Sequence, residues 1–197
     1  MKAYNFLVKT RLPISSCDLA KMFYQSPTGN EMSSMIIAQR RMRVLKELQY
    51  IEISPKKFGS SNYYYVGKVN EKSLRHRLLM SHVIATIATS GFEVVDIQVE
   101  KRMPEKYSII SDIFLLCKYN QDLFYLIIEV DLTKEFNEEC YEILIKDLQN
   151  NKLKFKYPVL IVSVSDFKLK SDFIKSNVIQ LNTQLSNFNK LLFNFIK

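Results

Sequence analysis

The sequence predicts a two-part protein of the α+β or α/β class. A helix-turn-helix-hairpin segment over residues 1–70 precedes an α-β-β-β-α-β domain with a mixed sheet over residues 71–197. Three observations carry this prediction. The basic excess is confined to the first part: residues 1–77 hold 14 Lys and Arg against 5 Asp and Glu, a net +9, whereas residues 78–197 hold 14 against 15. Apolar residues recur at helical spacing up to residue 49 and then alternate. The run from Ser111 to Asp131 reads as two apolar strands around a short polar turn, with a helical stretch and another apolar strand after it.

Composition narrows the classes. The 197 residues are 47% hydrophobic and 24% charged, with 4 Gly and 5 Pro, as in a folded globular protein. No run approaches the roughly 20 apolar residues that a membrane span needs, so no membrane partner is expected. Residues 1–16 contain no continuous apolar core, which argues against a signal peptide and for a cytoplasmic location. Cys17, Cys117 and Cys140 are scattered and odd in number, so neither a disulfide framework nor a zinc site is expected.

The first helix is expected to begin with Ser16 as N-cap and Asp18 in its first turn, burying Leu19, Met22 and Phe23. Pro27-Thr28-Gly29-Asn30 is a turn by composition. A helix from about Glu31 to Gln49 follows, with Met35, Ala38, Met42, Leu45 and Leu48 facing the core. Its other face shows Ser33, Ile37, Arg40 and Val44, flanked by Arg41, Arg43 and Lys46. Two alternating strands, 50–54 and 62–66, bracket a turn-rich tip carrying Lys56 and Lys57. Helix, turn, helix and basic-tipped hairpin is the order of a winged helix-turn-helix. Its second helix would enter the major groove of double-stranded DNA while the tip lysines reach the backbone. Ser33, Ile37, Arg40, Arg41, Arg43, Lys46, Lys56 and Lys57 are therefore the candidate DNA-binding residues.

Gly67 to Asn70 reads as a short junction, and a helix from Glu71 to Ser90 ends at Gly91. A strand over 92–99 and a charged loop over 100–106 lead to the hairpin. A turn at Asn120–Gln121 pairs Tyr119 with Asp122 and therefore Asp112 with Glu129. Asp131 joins the same face by the period of two. A helix over about 135–153, a buried strand over 157–164, a short strand over 178–181 and a closing helix over 188–196 complete the chain. Glu129 follows Leu126-Ile127-Ile128, where burial is expected, and gathered buried carboxylates require a cation, a basic side chain or protonation. A salt-bridge cluster completed by Arg102 or Lys134 is the favoured expectation, with no metal. His76 and His82, six apart on one helix, do not have the spacing of a metal pair.

The order α-β-β-β-α-β, with Asp112 on the second strand and Glu129 on the third, resembles the PD-(D/E)XK nucleases, whose fold is restriction-endonuclease-like. That resemblance implies paired carboxylates holding Mg²⁺ and a lysine two residues after the glutamate, a position filled here by Asp131. The sequence also resembles the replication-relaxation family of plasmids and mobile elements, over about residues 10–165. The likeness lies in Leu74-Arg75-His76, Glu100 before Lys101-Arg102, Ser111-Asp112 where the family has Pro-Asp, Glu129-Val130-Asp131, and Tyr157-Pro158-Val159-Leu160. It implies a winged helix joined to a degenerate nuclease-like domain, with Glu100, Asp112, Glu129 and Asp131 as a retired acidic cluster. The expected function is DNA binding at an origin, in plasmid replication or relaxosome-directed conjugation, with a relaxase or replication initiator as protein partner and a homodimer as assembly. The alternatives are a Mg²⁺-dependent DNA endonuclease using Asp112, Glu129 and Lys134, or a transcriptional repressor of the same element.

Overall fold

The computed structural model describes residues 2–27, 29–54 and 61–192. The chain divides into two compact units, residues 1–91 and residues 92–197. The boundary expected at 70/71 thus moves to the end of a helix, for reasons given by that helix's bonds.

In the first unit, α1 (Lys2–Thr10) is a helix that the sequence reading left unassigned. It buries Ala3, Phe6, Leu7 and Thr10, the i, i+3, i+4, i+7 stripe of an amphipathic helix. Strand β1 (Ile14–Ser15) leads directly into α2 (Ser16–Phe23). The N-cap of α2 is Ser15, one residue earlier than expected: its Oγ accepts the Asp18 N–H at 3.0 Å. Ser16 is instead fully buried and donates to the Asn62 carbonyl. Helix α3 (Glu31–Glu47) is capped by Asn30, whose Oδ1 accepts the Ser33 N–H at 3.2 Å. Strands β2 (Glu52–Ile53) and β3 (Tyr63–Tyr65) complete an antiparallel three-stranded sheet in the order β1-β3-β2. Tyr63 and Tyr64 are both buried, so Tyr64 is a packing residue rather than an exposed ring.

Helix α4 (Leu74–Thr89) was expected to open the second domain, yet it belongs to the first unit. Ser81 Oγ donates to the Pro13 carbonyl at 2.6 Å, and His82 Nδ1 bonds Asp18 Oδ1 at 2.9 Å. Arg77 also donates to the Arg11 carbonyl. These partners lie more than 60 residues upstream, which local reading cannot see.

The second unit is built on a mixed five-stranded sheet in the order β4-β5-β6-β7-β8. Strand β4 (Glu93–Arg102) runs through residues 100–102, expected as loop; as an edge strand it tolerates a charged, exposed end. Strands β5 (Ile110–Tyr119) and β6 (Asp122–Asp131) form the expected hairpin, with Tyr119 opposite Asp122 and Ile113 opposite Ile128. Asn120 and Gln121 both have positive φ, 47° and 77°, as a two-residue turn matched to strand twist requires. Helix α5 (Glu138–Gln149) then crosses to β7 (Val159–Ser165), which lies parallel to β6. The helix starts three residues later than expected because Asn137 caps it, accepting the Cys140 N–H, while Phe136 is buried before it. Helix α6 (Asp172–Asn177), β8 (Val178–Leu181) and α7 (Asn189–Leu192) follow, β8 parallel to β7. Residues 193–196 of the expected closing helix lie outside the described residues.

Register and burial locate one core layer of this unit. Phe114, Ile127, Ile161 and Val178 are aligned across neighbouring strands and pack with Tyr141, Leu144 and Ile145 of α5 and Ile174 of α6. Each such fully buried side chain contributes about 1.5–3 kcal/mol. By the period of two, Asp112, Glu129, Asp131, Ser163 and Ser165 continue this layer toward one end of the sheet.

Candidate functional site

Two groups of side chains are candidates, one in each unit. On α3 the residues facing the core are Ser34, Ala38 and Met42. Ser34 is buried because its Oγ accepts the Ser26 N–H at 2.8 Å and donates to the Asn30 carbonyl at 3.0 Å, tying the turn before α3. At about 100° per residue, Ile36, Arg40 and Arg43 fall on the opposite side of the helix. Arg40, Arg41, Arg43 and Lys46 are all exposed. Burial raises the pKa of Tyr24 against the influence of Arg41, and that of Tyr64 against Asn62, Arg43 and Ser16. Ser33 and Ile37 are only partly exposed. The sequence reading named Ile37 and passed over its neighbour, whereas Ile36 is 42% and Met32 62% exposed. Leu48, expected in the core, is 59% exposed just past the helix end. Ser34 takes a core position that carries no hydrophobic signal. Lys56 and Lys57 lie outside the described residues.

The second group gathers at the end of β6. Glu129 and Asp131 are buried, at 8% and 3% exposure, and Asp112 is partly buried. Asp112 Oδ2 accepts the Val130 N–H at 2.8 Å, so the carboxylate takes up the backbone donor where the β5–β6 ladder ends. Tyr141 of α5 donates its hydroxyl to Glu129 Oε1. Burial pushes Glu129 up to about 8, reinforced by Asp112 and Asp131 and opposed by the Tyr141 hydrogen bond. Burial and the same three carboxyl groups push the Tyr141 phenol upward as well. The upward shift favours the protonated carboxyl, one of the three ways a buried acid can be accommodated.

Sequence reasoning named the acids but not Tyr141. Its signal was present only indirectly, as an apolar-face position on the helix following Glu129. Lys134 reaches to 3.8 Å from Asp131 while 77% exposed, so this bond is peripheral. Arg102 is exposed, in register with Ile110. Glu100 is exposed with φ 53°, between the pairs Val99–Ile113 and Lys101–Ser111 that flank Asp112. Beside the ion pair with Lys134, the group is closed by the Tyr141 hydroxyl on Glu129. A cavity of about 80 Å³ lies beside it, lined by Ser108, Ile110, Glu129, Asp131, Lys134 and Tyr141 among others.

The resemblance to Mg²⁺ nucleases asks whether these residues fit a divalent ion. Hard cations take oxygen ligands; here Glu129 Oε1 receives the Tyr141 hydroxyl, with Asp112 and Asp131 beside it. Among the described residues, no three His, Cys, Asp or Glu side chains are placed to share a metal ion.

Ser163, in register with Glu129 on β7, is fully buried, and its Oγ is the buried side-chain atom lacking a hydrogen-bond partner among the described residues. An unsatisfied buried hydroxyl costs about 1–3 kcal/mol. Ser163→Ala is therefore expected to leave urea stability unchanged or raise it by about 1 kcal/mol. A loss of that size would mean that the hydroxyl is bonded in solution. Comparisons with family models, with curated proteins and with solved structures return no match to this chain.

Proposed function

We propose that the protein binds double-stranded DNA through α3 and acts as an accessory factor in replication or conjugative mobilisation of a plasmid or integrative element. The observation that carries the DNA-binding part is the exposed cationic face of Arg40, Arg41, Arg43 and Lys46 on a helix whose opposite side is buried. The unit holding it has 14 Lys and Arg against 5 Asp and Glu, since residues 78–91 contain none of the four. Phosphate neutralisation is the term that such a charge supplies.

The order α1-β1-α2-α3-β2-β3 and the sheet order β1-β3-β2 support a winged helix-turn-helix with α3 as the groove-entering helix. The order β4-β5-β6-α5-β7, preceded in the chain by α4 of the first unit, supports a restriction-endonuclease-like reading of the remainder. The mobile-element role rests on the resemblance of Leu74-Arg75-His76, Glu129-Val130-Asp131 and Tyr157-Pro158-Val159-Leu160 to the replication-relaxation family. In this reading the acidic strand end is structural, and the second unit recruits a relaxase or replication initiator or mediates homodimerisation.

Gel shifts of origin fragments and of random duplex, each at two salt concentrations, test the proposal. Specific complexes are expected to survive salt that dissolves the random-duplex complexes. Arg40→Ala is expected to weaken the specific complex by about 1–3 kcal/mol, as loss of a bidentate base contact does. Equal binding of both duplexes, wholly lost at modest salt, would reduce the interaction to non-specific attraction.

A further inference from the structure

Met32, Ile36, Arg40 and Val44 of α3 and Leu48 at its C-cap follow one another at intervals of four residues. The four apolar members are among the most exposed large hydrophobic residues described, at 62%, 42%, 50% and 59%. Exposed apolar side chains aligned on one helix face mark a contact surface. The row is threaded with cations: Arg40 stands at its centre, with Arg41, Arg43 and Lys46 exposed beside it. A second copy of the helix docked on this face would set like charges against one another. A polyanion with apolar groups at regular intervals matches both features. The major groove of DNA is such a surface, because the C5-methyl of each thymine projects into it between hydrogen-bonding base edges.

Resting on the reading of α3 as the groove-entering helix, we infer that this helix reads a guanine with a thymine one or two base pairs away. Arg40 recognises the guanine, and Ile36, assisted by Met32, packs on the thymine methyl. Residues four apart on a helix are about 6 Å apart along its axis, and successive base pairs are about 3.4 Å apart. The Ile36-to-Arg40 spacing therefore spans about two base steps. The N-terminal residues of a recognition helix reach base edges, which favours Met32 and Ile36, with Arg40 at the middle of α3, over Val44 and Leu48 near its C-terminal end. Asn30 and Ser33 are engaged in the helix cap, so the first turn is held without drawing on Ile36 or Arg40.

The test uses the full chain and two base analogues. Duplexes are first selected from a random pool by binding to the protein. The selected site is then remade with deoxyuridine for each thymine, removing only the methyl, and with 7-deazaguanine for each guanine, removing only the N7 acceptor. Wild-type binding is expected to weaken about 4-fold for one deoxyuridine, the worth of one buried methyl. It is expected to weaken about 5-fold or more for one 7-deazaguanine within two positions of it. Ile36→Ala is expected to abolish the thymine–deoxyuridine difference and keep the guanine effect; Arg40→Ala is expected to do the reverse. Both side chains are exposed, so neither variant threatens the fold.

A selected site bound with indifference to both analogues overturns the inference and leaves the DNA reading intact. So does a deoxyuridine effect that persists in Ile36→Ala. Loss of self-association in Ile36→Ala, read by sedimentation with duplex binding unchanged, overturns it in favour of a protein contact. Failure to enrich any duplex overturns the DNA reading together with the inference.

Discussion

Glu129→Gln is expected to flatten the pH dependence of unfolding and to stabilise the protein on the alkaline side. Glu129 has its folded-state pKa raised from 4.5 to about 8 by burial, by Asp112 and by Asp131. A carboxyl shifted this way favours folding fully below its unfolded value, and that contribution is lost as pH rises through the folded one. The wild-type protein should therefore lose stability between about pH 4.5 and pH 8. At about 1.4 kcal/mol per pH unit the loss is on the order of 5 kcal/mol.

Glutamine is neutral throughout. Its carbonyl accepts the Tyr141 hydroxyl and its amide donates toward Asp112, so the buried geometry survives without the titration. Urea unfolding of both proteins at pH 5 and pH 9 reads the difference. A slope shared by wild type and variant would place the titrating proton elsewhere and remove the account of the acidic end as a protonated cluster. Tyr141→Phe is an informative companion, because the Tyr141 hydrogen bond lowers the Glu129 pKa. Its loss should extend the region of falling stability to higher pH.

How far these features were readable from the chain differs by the range of the interactions involved. The hairpin register was legible because period-two alternation and a two-residue polar turn are local, and together they leave one pairing. The acids at its end were legible for the same reason. What neutralises them was not. Tyr141 sits twelve residues from Glu129 on a different element, and a tyrosine on an apolar helix face carries no mark of a hydroxyl aimed at a carboxyl group.

Helix α1 could have been found, since Ala3, Phe6, Leu7 and Thr10 have the helical spacing; with Lys2 and Lys9 on the other face, the segment had been weighed only as a signal peptide. On α3, Ser34 went unread as a core position because it anchors the helix through hydrogen bonds rather than through hydrophobicity. The charge asymmetry between the two parts was legible from composition alone. The place where the units divide was not, because the bonds that claim α4 for the first unit reach across more than 60 residues.

The bond between α2 and α4 makes the second large prediction. Asp18 is 5% exposed and is held three ways. Its N–H donates to Ser15 Oγ at 3.0 Å, Ser15 Oγ–H reaches its Oδ2 at 2.8 Å, and His82 Nδ1 lies 2.9 Å from its Oδ1. The first two bonds resemble a capping box with an aspartate at its fourth position. The third converts a local cap into a tertiary tie. Asp18→Ala removes a capping partner, worth about 1 kcal/mol, and a charge-assisted bond, worth about 1.5–3 kcal/mol. A loss of about 3 kcal/mol in chemical denaturation is expected. His82→Ala should cost about 1 kcal/mol, because its ring is 39% exposed and water replaces the lost contact. In the double variant the two losses should fail to add by about 1 kcal/mol, the coupling of side chains in direct contact. Strictly additive losses would reduce Asp18 to a cap residue and leave packing to hold α4 against α2.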